Sequence, residues 1–173
     1  MSKLQNEVRE VVGNKTHLTE DDLIGMNYLR AVIKETLRLH PPLSIILRMS
    51  TEDVNIKGYN IKANTRVRMN VWQIGRDPMS YNKAEEFEPE RFLNSRRPID
   101  YKGNDFQLIP FGVGRRGCPG SHFAISAAEI ALASLVHKFD WALPDESKPQ
   151  EFDMTESIHY TNFVIRQRQK TVV

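Results

Sequence analysis

The stretch "PFGVGRRGCPG", Pro110–Gly120, decides how the rest of the chain is interpreted, because it is compatible with two different kinds of site. Gly112, Gly114 and Gly117 match the G-x-G-x-x-G pattern of dinucleotide-binding loops. The residue that follows them is Cys118, and a cysteine thiolate is a metal ligand. The position of the next helix distinguishes the two possibilities.

In a dinucleotide-binding fold the helix begins among the glycines, so that its free N–H groups face the pyrophosphate. Here Pro119 and Gly120 would fall inside the first turns of such a helix and break it. A helix that begins after Pro119 instead places Cys118 just ahead of its N-terminus, where the helix dipole stabilises a thiolate. With Arg116 nearby, this pattern favours a thiolate beneath a large, planar, anionic cofactor.

Three other interpretations of Cys118 remain open. A lone cysteine is often a small buried hydrophobe. Cys118 and His122 could share a zinc ion, although a zinc site needs three or four ligands. The same pair could act in nucleophilic catalysis, which usually requires an orienting third group. The chain as a whole could also be a metal-independent interaction domain with an inert cysteine.

The composition is that of an ordinary globular protein. The chain has 173 residues, a net charge of +2, 27% charged and 40% hydrophobic residues, so no nucleic-acid partner is expected. Its one cysteine cannot form an internal disulfide. No apolar run is long enough to span a bilayer, and the N-terminus does not resemble a signal peptide.

The hydrophobic patterns predict a mainly α-helical fold with small β-sheets, which is an α+β class. A first helix is expected to end at Gly13, and residues 27–40 carry an apolar stripe typical of a second helix. Residues 44–70 contain short β-type pieces with a turn near Gly58 and are predicted to form one small sheet. Residues 76–104 lack periodicity.

The C-terminal part is predicted to begin with a long helix over residues 121–138. This segment is apolar on nearly every side, so it is expected to be deeply buried. The pieces "KFDWALP" and "NFVIRQRQ" that come later are predicted to be closing strands.

Three segments of the sequence closely resemble the signatures of one protein family. "FGVGRRGCPG" is similar to the haem-binding signature F-x-x-G-x-R-x-C-x-G of the cytochromes P-450. Two further family signatures lie upstream in the expected order, E-x-x-R in "KETLR" and the P-E-R-F block at residues 89–92. The segments "LRLHPP", "GRDP" and "HKFDWALP" are similar in sequence to the corresponding segments of plant microsomal members that act in specialised metabolism.

The resemblance implies that residues 1–173 are the C-terminal, haem-binding part of an incomplete cytochrome P-450 catalytic domain. The membrane anchor and the oxygen-activating helix of the family are expected outside this chain. The parts of the domain are the E-x-x-R helix at 27–40, the sheet at 44–70, the meander with P-E-R-F at 76–104, the haem-thiolate loop at 110–120 and the buried helix at 121–138.

The resemblance also implies roles at the cofactor. Cys118 would be the axial thiolate ligand of the iron of haem b, iron protoporphyrin IX. Arg116 and Arg48 would pair with the haem propionates, since a guanidinium fork suits a carboxylate. The other residues expected at the cofactor are Phe111, Gly112 and Gly120.

Glu35 and Arg38 are three residues apart on the predicted helix, and from spacing alone they would form a solvated pair contributing only about 0.2–0.5 kcal/mol. The resemblance instead implies a buried network with Arg91 that fixes the irregular meander to the core. This role supports the haem pocket and is structural.

The resemblance implies a lipophilic small-molecule substrate. The residues expected to face it are Ile45, Ile46, Ser157 and Ile158. The family usually has proline where Leu47 stands, and Trp and Pro where Tyr81 and Ala84 stand. These departures concern substrate contacts and local geometry rather than the iron ligand.

The implied activity is a monooxygenase that inserts one oxygen atom from O2 into its substrate. Electrons would come from an NADPH-dependent cytochrome P-450 reductase, and the full-length family works at the cytosolic face of the endoplasmic reticulum membrane. The alternative is a truncated haem-binding fragment without catalytic activity. We expect the isolated chain to be inactive.

Overall fold

The computed structural model describes residues 1–93, 99–101, 104–142 and 164–167. The helices are α1 (Ser2–Val12), α2 (Asn27–Leu39), α3 (Val71–Ile74) and α4 (Ser121–Lys138). The strands are β1 (Ile45–Met49), β2 (Val54–Ile56), β3 (Tyr59–Ile61), β4 (Arg66–Asn70), β5 (Phe139–Ala142) and β6 (Val164–Gln167). Short 3₁₀ helices cover Glu20–Gly25, Pro89–Phe92 and Gly114–Arg116. Helices joined by small antiparallel sheets agree with the predicted α+β class.

The chain divides into two compact units. The first contains the described residues of Met1–Glu35, Glu88–Pro98 and Pro119–Val173, and the second those of Thr36–Phe87 and Ile99–Cys118. The boundary falls inside α2, between Glu35 and Thr36.

Helix α1 has the amphipathic pattern that its sequence predicts. Leu4, Val8 and Val12 are spaced by four residues and are all buried. The helix ends at Gly13, whose φ of 58° lies in the left-handed region and whose N–H donates to the carbonyl of Arg9 at 2.9 Å. In the first unit α1 packs against α4.

Helix α2 ends one residue before the predicted limit. Leu29 and Ile33 of its apolar stripe are buried, as their spacing predicts. The N–H of His40 still donates to the carbonyl of Thr36 at 2.7 Å, after which Pro41 prevents another turn.

Residues 44–70 form two separate two-stranded sheets rather than the single predicted sheet. Strand β1 pairs with β4 from Ile45↔Asn70 to Met49↔Arg66, so β2 and β3 are left as a hairpin of their own. Lys57 and Gly58 turn this hairpin with φ of 49° and 88°, the two positive values that a type I′ turn requires. The predicted turn at Gly58 is confirmed.

Helix α4 is only partly buried by the described residues. Ile125, Ala133 and Val136 are its buried residues, whereas Phe123 is 81% exposed and Leu135 is also exposed. The described elements that α4 contacts include α1, the 3₁₀ helix Glu20–Gly25 and β5, and they leave much of its apolar surface uncovered.

The two predicted closing strands are present. Strand β5 pairs with β6 in antiparallel register, from Phe139↔Gln167 to Ala142↔Val164. Among the helices of the described ranges, none combines the length and the hydropathy that a bilayer span requires.

Asp22 anchors the 3₁₀ helix that precedes α2. Its carboxylate pairs with the Lys15 ammonium and accepts a hydrogen bond from the Thr19 N–H at 2.9 Å. These contacts, with the Lys15 bond the strongest, lower the pKa of Asp22 from 3.8 to about 2.

A depressed carboxyl pKa predicts acid sensitivity. The contribution of Asp22 to stability is fully present above pH 4 and is lost as the pH falls towards about 2. The test is the free energy of unfolding by urea between pH 2 and pH 5 in the wild type and in Asp22→Asn. We expect the difference between the two proteins to shrink as the pH falls, and parallel pH profiles would contradict the assignment.

Candidate functional site

The loop around Cys118 is shaped by its own backbone. Gly112 and Gly114 both have φ of 71°, a left-handed conformation that favours glycine. The chain then turns back, and the N–H of Cys118 donates to the carbonyl of Phe111 at 2.9 Å. This bond closes residues 111–118 into what we call the Cys loop.

The structure begins α4 after the glycines and not among them. A short 3₁₀ helix occupies Gly114–Arg116, and α4 starts at Ser121 with Gly120 as its N-cap residue. The helix thus begins after Pro119, as the thiolate interpretation requires. The dinucleotide interpretation needs a helix among the glycines and does not fit.

Cys118 is exposed, so it is not a buried small hydrophobe. His122 is exposed as well. Within the described residues, no group of three or more histidine, cysteine, aspartate or glutamate side chains is arranged to hold a metal ion. In that part of the chain the zinc hypothesis therefore has no third ligand.

Arg48 of β1 reaches the Cys loop. Its Nη2 donates to the carbonyl of Arg116 at 3.0 Å, and its Nη1 donates to the carbonyl of Leu47 at 2.9 Å. A Cβ on Gly112 would lie 3.1 Å from Arg48 Nη2, so the absence of a side chain there lets the guanidinium approach. The structure thus brings together Arg48, Arg116 and Gly112. The family resemblance had assigned each of these residues to the cofactor.

Phe111 is half-buried at the start of the Cys loop. Its ring meets the ring of Tyr101 edge-on, with the two centroids 6.2 Å apart. This contact restrains the aromatic side chain that the resemblance assigns to the cofactor.

Ile45 and Ile46 do not face the same way. Ile46 is 6% exposed and belongs to a core cluster with Val71 and Ile109, whereas Ile45 is exposed. Neighbouring strand residues point to opposite sides of a sheet, which accounts for the difference in burial. The substrate contacts expected of Ile45 and Ile46 stay predictions, and Ser157 and Ile158 lie outside the described residues.

Glu35 is fully buried in the first unit and is held by two donors. Its Oε1 accepts the N–H of Glu88 at 2.7 Å and pairs with Nε of Arg91 at 3.1 Å. Arg91 also pairs with the Glu88 carboxylate, Nη2 to Oε2 at 3.3 Å. These contacts join α2 to the P-E-R-F segment, and the burial of Glu35 differs from the solvated pair that spacing alone suggested.

Arg38 is 1% exposed and binds backbone carbonyls in the second unit. Its Nη1 donates to the carbonyls of Gly75 at 2.5 Å and Ala84 at 2.6 Å, and its Nη2 donates to that of Glu86 at 3.0 Å. One guanidinium therefore satisfies the carbonyl of Gly75, which lies just ahead of the meander, and two carbonyls within the meander.

The sequence matches one known protein family over nearly its whole length. A sequence profile of the family described as "Cytochrome P450" matches residues 1–170. The chain belongs to the cytochrome P-450 family. The two buried charges described above lie in its E-x-x-R signature, and the exposed thiol lies in its cysteine signature.

Curated cytochrome P-450 proteins from plants are similar to nearly the whole chain. It is 66% identical over 163 residues to "Cytochrome P450 736A117" of Prunus mume, covering 93% of the chain and 31% of that protein. It is 52% identical to "Psoralen synthase" of Pastinaca sativa, covering 93% of the chain and 34% of that protein. The chain spans about a third of the length of these relatives.

Gly75 is a site residue that the sequence analysis missed in this cytochrome P-450 chain. A Cβ at Gly75 would lie 2.2 Å from the backbone carbonyl oxygen of Arg38, a distance that no side chain can occupy. Its φ of −65° is ordinary, so the constraint is close approach and not backbone conformation. The position of Gly75 at the start of the "GRDP" segment was the one available signal.

The close approach predicts that Gly75→Ala destabilises the protein by about 1–3 kcal/mol through overpacking. Gly25→Ala is the matched control, because no atom lies within 4 Å of its added Cβ. The measurement is urea unfolding of both variants. Equal stability of the two would show that α2 and the segment at Gly75 can separate without cost.

The Glu35–Arg91 pair predicts a cost of about 1–3 kcal/mol for Glu35→Ala, because the half-buried Arg91 guanidinium and the Glu88 N–H both lose an acceptor, although Arg91 keeps its pair with the Glu88 carboxylate. The control is Glu86→Ala, which breaks an exposed pair with Lys83 at a 3.0 Å Nζ–Oε2 distance. An exposed pair should contribute about 1 kcal/mol or less. Similar losses of unfolding free energy in both variants would contradict the structural role of Glu35.

Proposed function

We propose that the protein is a haem-thiolate monooxygenase that inserts one oxygen atom from O2 into a lipophilic small organic substrate. The observation that carries this proposal is the exposed thiol of Cys118 on a backbone-closed loop, with a hydrogen bond from Arg48 to the same loop. Membership of the cytochrome P-450 family supports the same reaction class.

The residues present fit a haem group. A side chain at Gly114 would meet nothing within 4 Å, so the backbone there is open to a flat ligand. The exposed Cys118 offers the sulfur donor that haem iron accepts from cysteine. Arg48 has five N–H donors, and its bonds to the carbonyls of Leu47 and Arg116 leave others for a carboxylate.

Each residue then has a specific task. Cys118 would bind the iron as a thiolate, and backbone N–H groups near Gly120 would adjust its donor strength. Phe111 would keep water from the sulfur. Arg48 and Arg116 would bind the propionates, with Arg48 positioned by β1.

Haem b, when bound, would supply the activation of O2, in which one oxygen atom enters the substrate and the other leaves as water. The two electrons required would come from NADPH through a cytochrome P-450 reductase. We place the whole protein at the cytosolic face of the endoplasmic reticulum membrane, by analogy with plant family members. The related proteins named "Norfluorocurarine oxidase" and "Psoralen synthase" support a specialised plant metabolite as the substrate class.

The proposal predicts that Cys118→Ser loses the thiolate-type absorption of the reduced carbonyl complex. His122→Ala is the control, since the zinc and Cys–His alternatives need this imidazole and the haem proposal does not. We expect His122→Ala to keep the spectrum. A thiolate-type spectrum in Cys118→Ser would overturn the assignment.

A second measurement separates the enzyme from the inactive-fragment alternative. Oxygen insertion is measured with NADPH and a reductase in the protein that shows the thiolate spectrum. Product formation supports the monooxygenase, and a normal spectrum without any product supports the haem-binding fragment.

A further inference from the structure

Tyr81 connects the buried arginine of α2 to the segment that leads into the Cys loop. It is 3% exposed, and its ring lies 4.9 Å from the Cζ atom of Arg38, a cation–π contact. Its hydroxyl donates a hydrogen bond to the carbonyl of Gln107 at 3.0 Å. All three residues belong to the second unit.

The Tyr81 ring lies over a cation that is itself held in place. Arg38 cannot rotate freely, because its guanidinium is already bonded to the carbonyls of Gly75, Ala84 and Glu86. The Tyr81 ring packs against this held cation, and its hydroxyl lies 3.0 Å from the carbonyl oxygen of Gln107.

Gln107 lies in a segment that packs into the core through Leu108 and Ile109 but has no regular secondary structure. Among residues 104–113 the structure assigns no helix or strand, and the chain is shaped by turns. Leu108 N–H donates to Asp105 O at 3.0 Å, and Gly112 N–H donates to Ile109 O at 3.0 Å. The bond from Tyr81 is therefore a long-range restraint on this segment, four residues before Phe111.

We propose that Tyr81 is a positioning residue for the Cys loop, transmitting the fixed position of Arg38 to Cys118 through the carbonyl of Gln107. Its effect on the cofactor rests on the proposed haem-thiolate function. The coupling between Tyr81 and the segment at 107–112 does not rest on it.

The first test is amide hydrogen exchange in Tyr81→Phe, which keeps the ring over Arg38 and removes the donor to Gln107. A hydrogen bond of this kind contributes about 0.5–1.5 kcal/mol, so amides at 108–112 should exchange roughly three- to tenfold faster. Amides at 76–88 should be unchanged because the ring remains. Tyr59→Phe is the matched control, since Tyr59 is 76% exposed on β3.

Tyr81→Leu removes the ring as well as the hydroxyl. We expect faster exchange both at 76–88 and at 108–112 in this variant, whereas Tyr81→Phe affects only the second segment. Equal acceleration of both segments in Tyr81→Phe would mean that the tyrosine only packs the meander, and no acceleration at 108–112 would overturn the proposal.

The second test is the absorption of the reduced carbonyl complex in the haem-loaded protein. We expect a smaller fraction of the thiolate form in Tyr81→Phe than in the wild type and in Tyr59→Phe. An unchanged fraction would contradict an effect on Cys118. If the wild type shows no thiolate spectrum, the proposed function fails, while the exchange measurements still decide whether Tyr81 positions the segment.

Discussion

Two opposite charges are buried three residues apart on α2, and the arrangement of the surrounding chain follows from the need to satisfy them. Glu35 is fully buried and accepts hydrogen bonds from the backbone of Glu88 and from Arg91. Arg38 is equally buried and donates to several backbone carbonyls. An unpaired charge at either position would be costly, so each charge fixes the segment that supplies its partners. Glu35 does this in the first unit and Arg38 in the second.

This arrangement explains how residues 76–88, the described part of the meander ahead of the P-E-R-F segment, are held against α2. The described part of the meander is built from turns, and Arg38 donates to its carbonyls at Ala84 and Glu86. Gly75 allows that segment to approach α2, because no side chain separates it from the carbonyl of Arg38. From the same arginine, Tyr81 extends the restraint to the carbonyl of Gln107. The Cys loop is then closed by the Cys118–Phe111 bond and contacted by Arg48.

The sequence was sufficient for features that depend on local chemistry. The end of α1 at Gly13, the turn at Gly58 and the start of α4 after Pro119 each follow from glycine or proline conformation, and the structure contains all three. The family motif likewise indicated Cys118, whose exposure the structure shows.

Features that depend on contacts between distant segments were not predictable in this way. The "GRDP" segment draws attention to Gly75, but it does not identify the Arg38 carbonyl as the group that approaches it. Because β1 pairs with β4, the expected single sheet is two separate sheets. The same pairing directs the side chain of Ile46 towards the core cluster. The apolar sequence of α4 also does not determine how far its side chains are exposed, because burial depends on which elements cover a helix.

The central claim is that the Arg38 guanidinium holds the meander, and Arg38→Lys tests it most directly. Lysine keeps the charge but lacks the planar fork that reaches several carbonyls. Amide hydrogen exchange of the full-length protein is compared in Arg38→Lys, in the wild type and in Arg66→Lys, whose arginine is exposed on β4. The account predicts exchange at 76–88 and 108–112 at least about tenfold faster in Arg38→Lys, equivalent to about 1.4 kcal/mol, with Arg66→Lys unchanged. Exchange at wild-type rates in both segments of Arg38→Lys would contradict it.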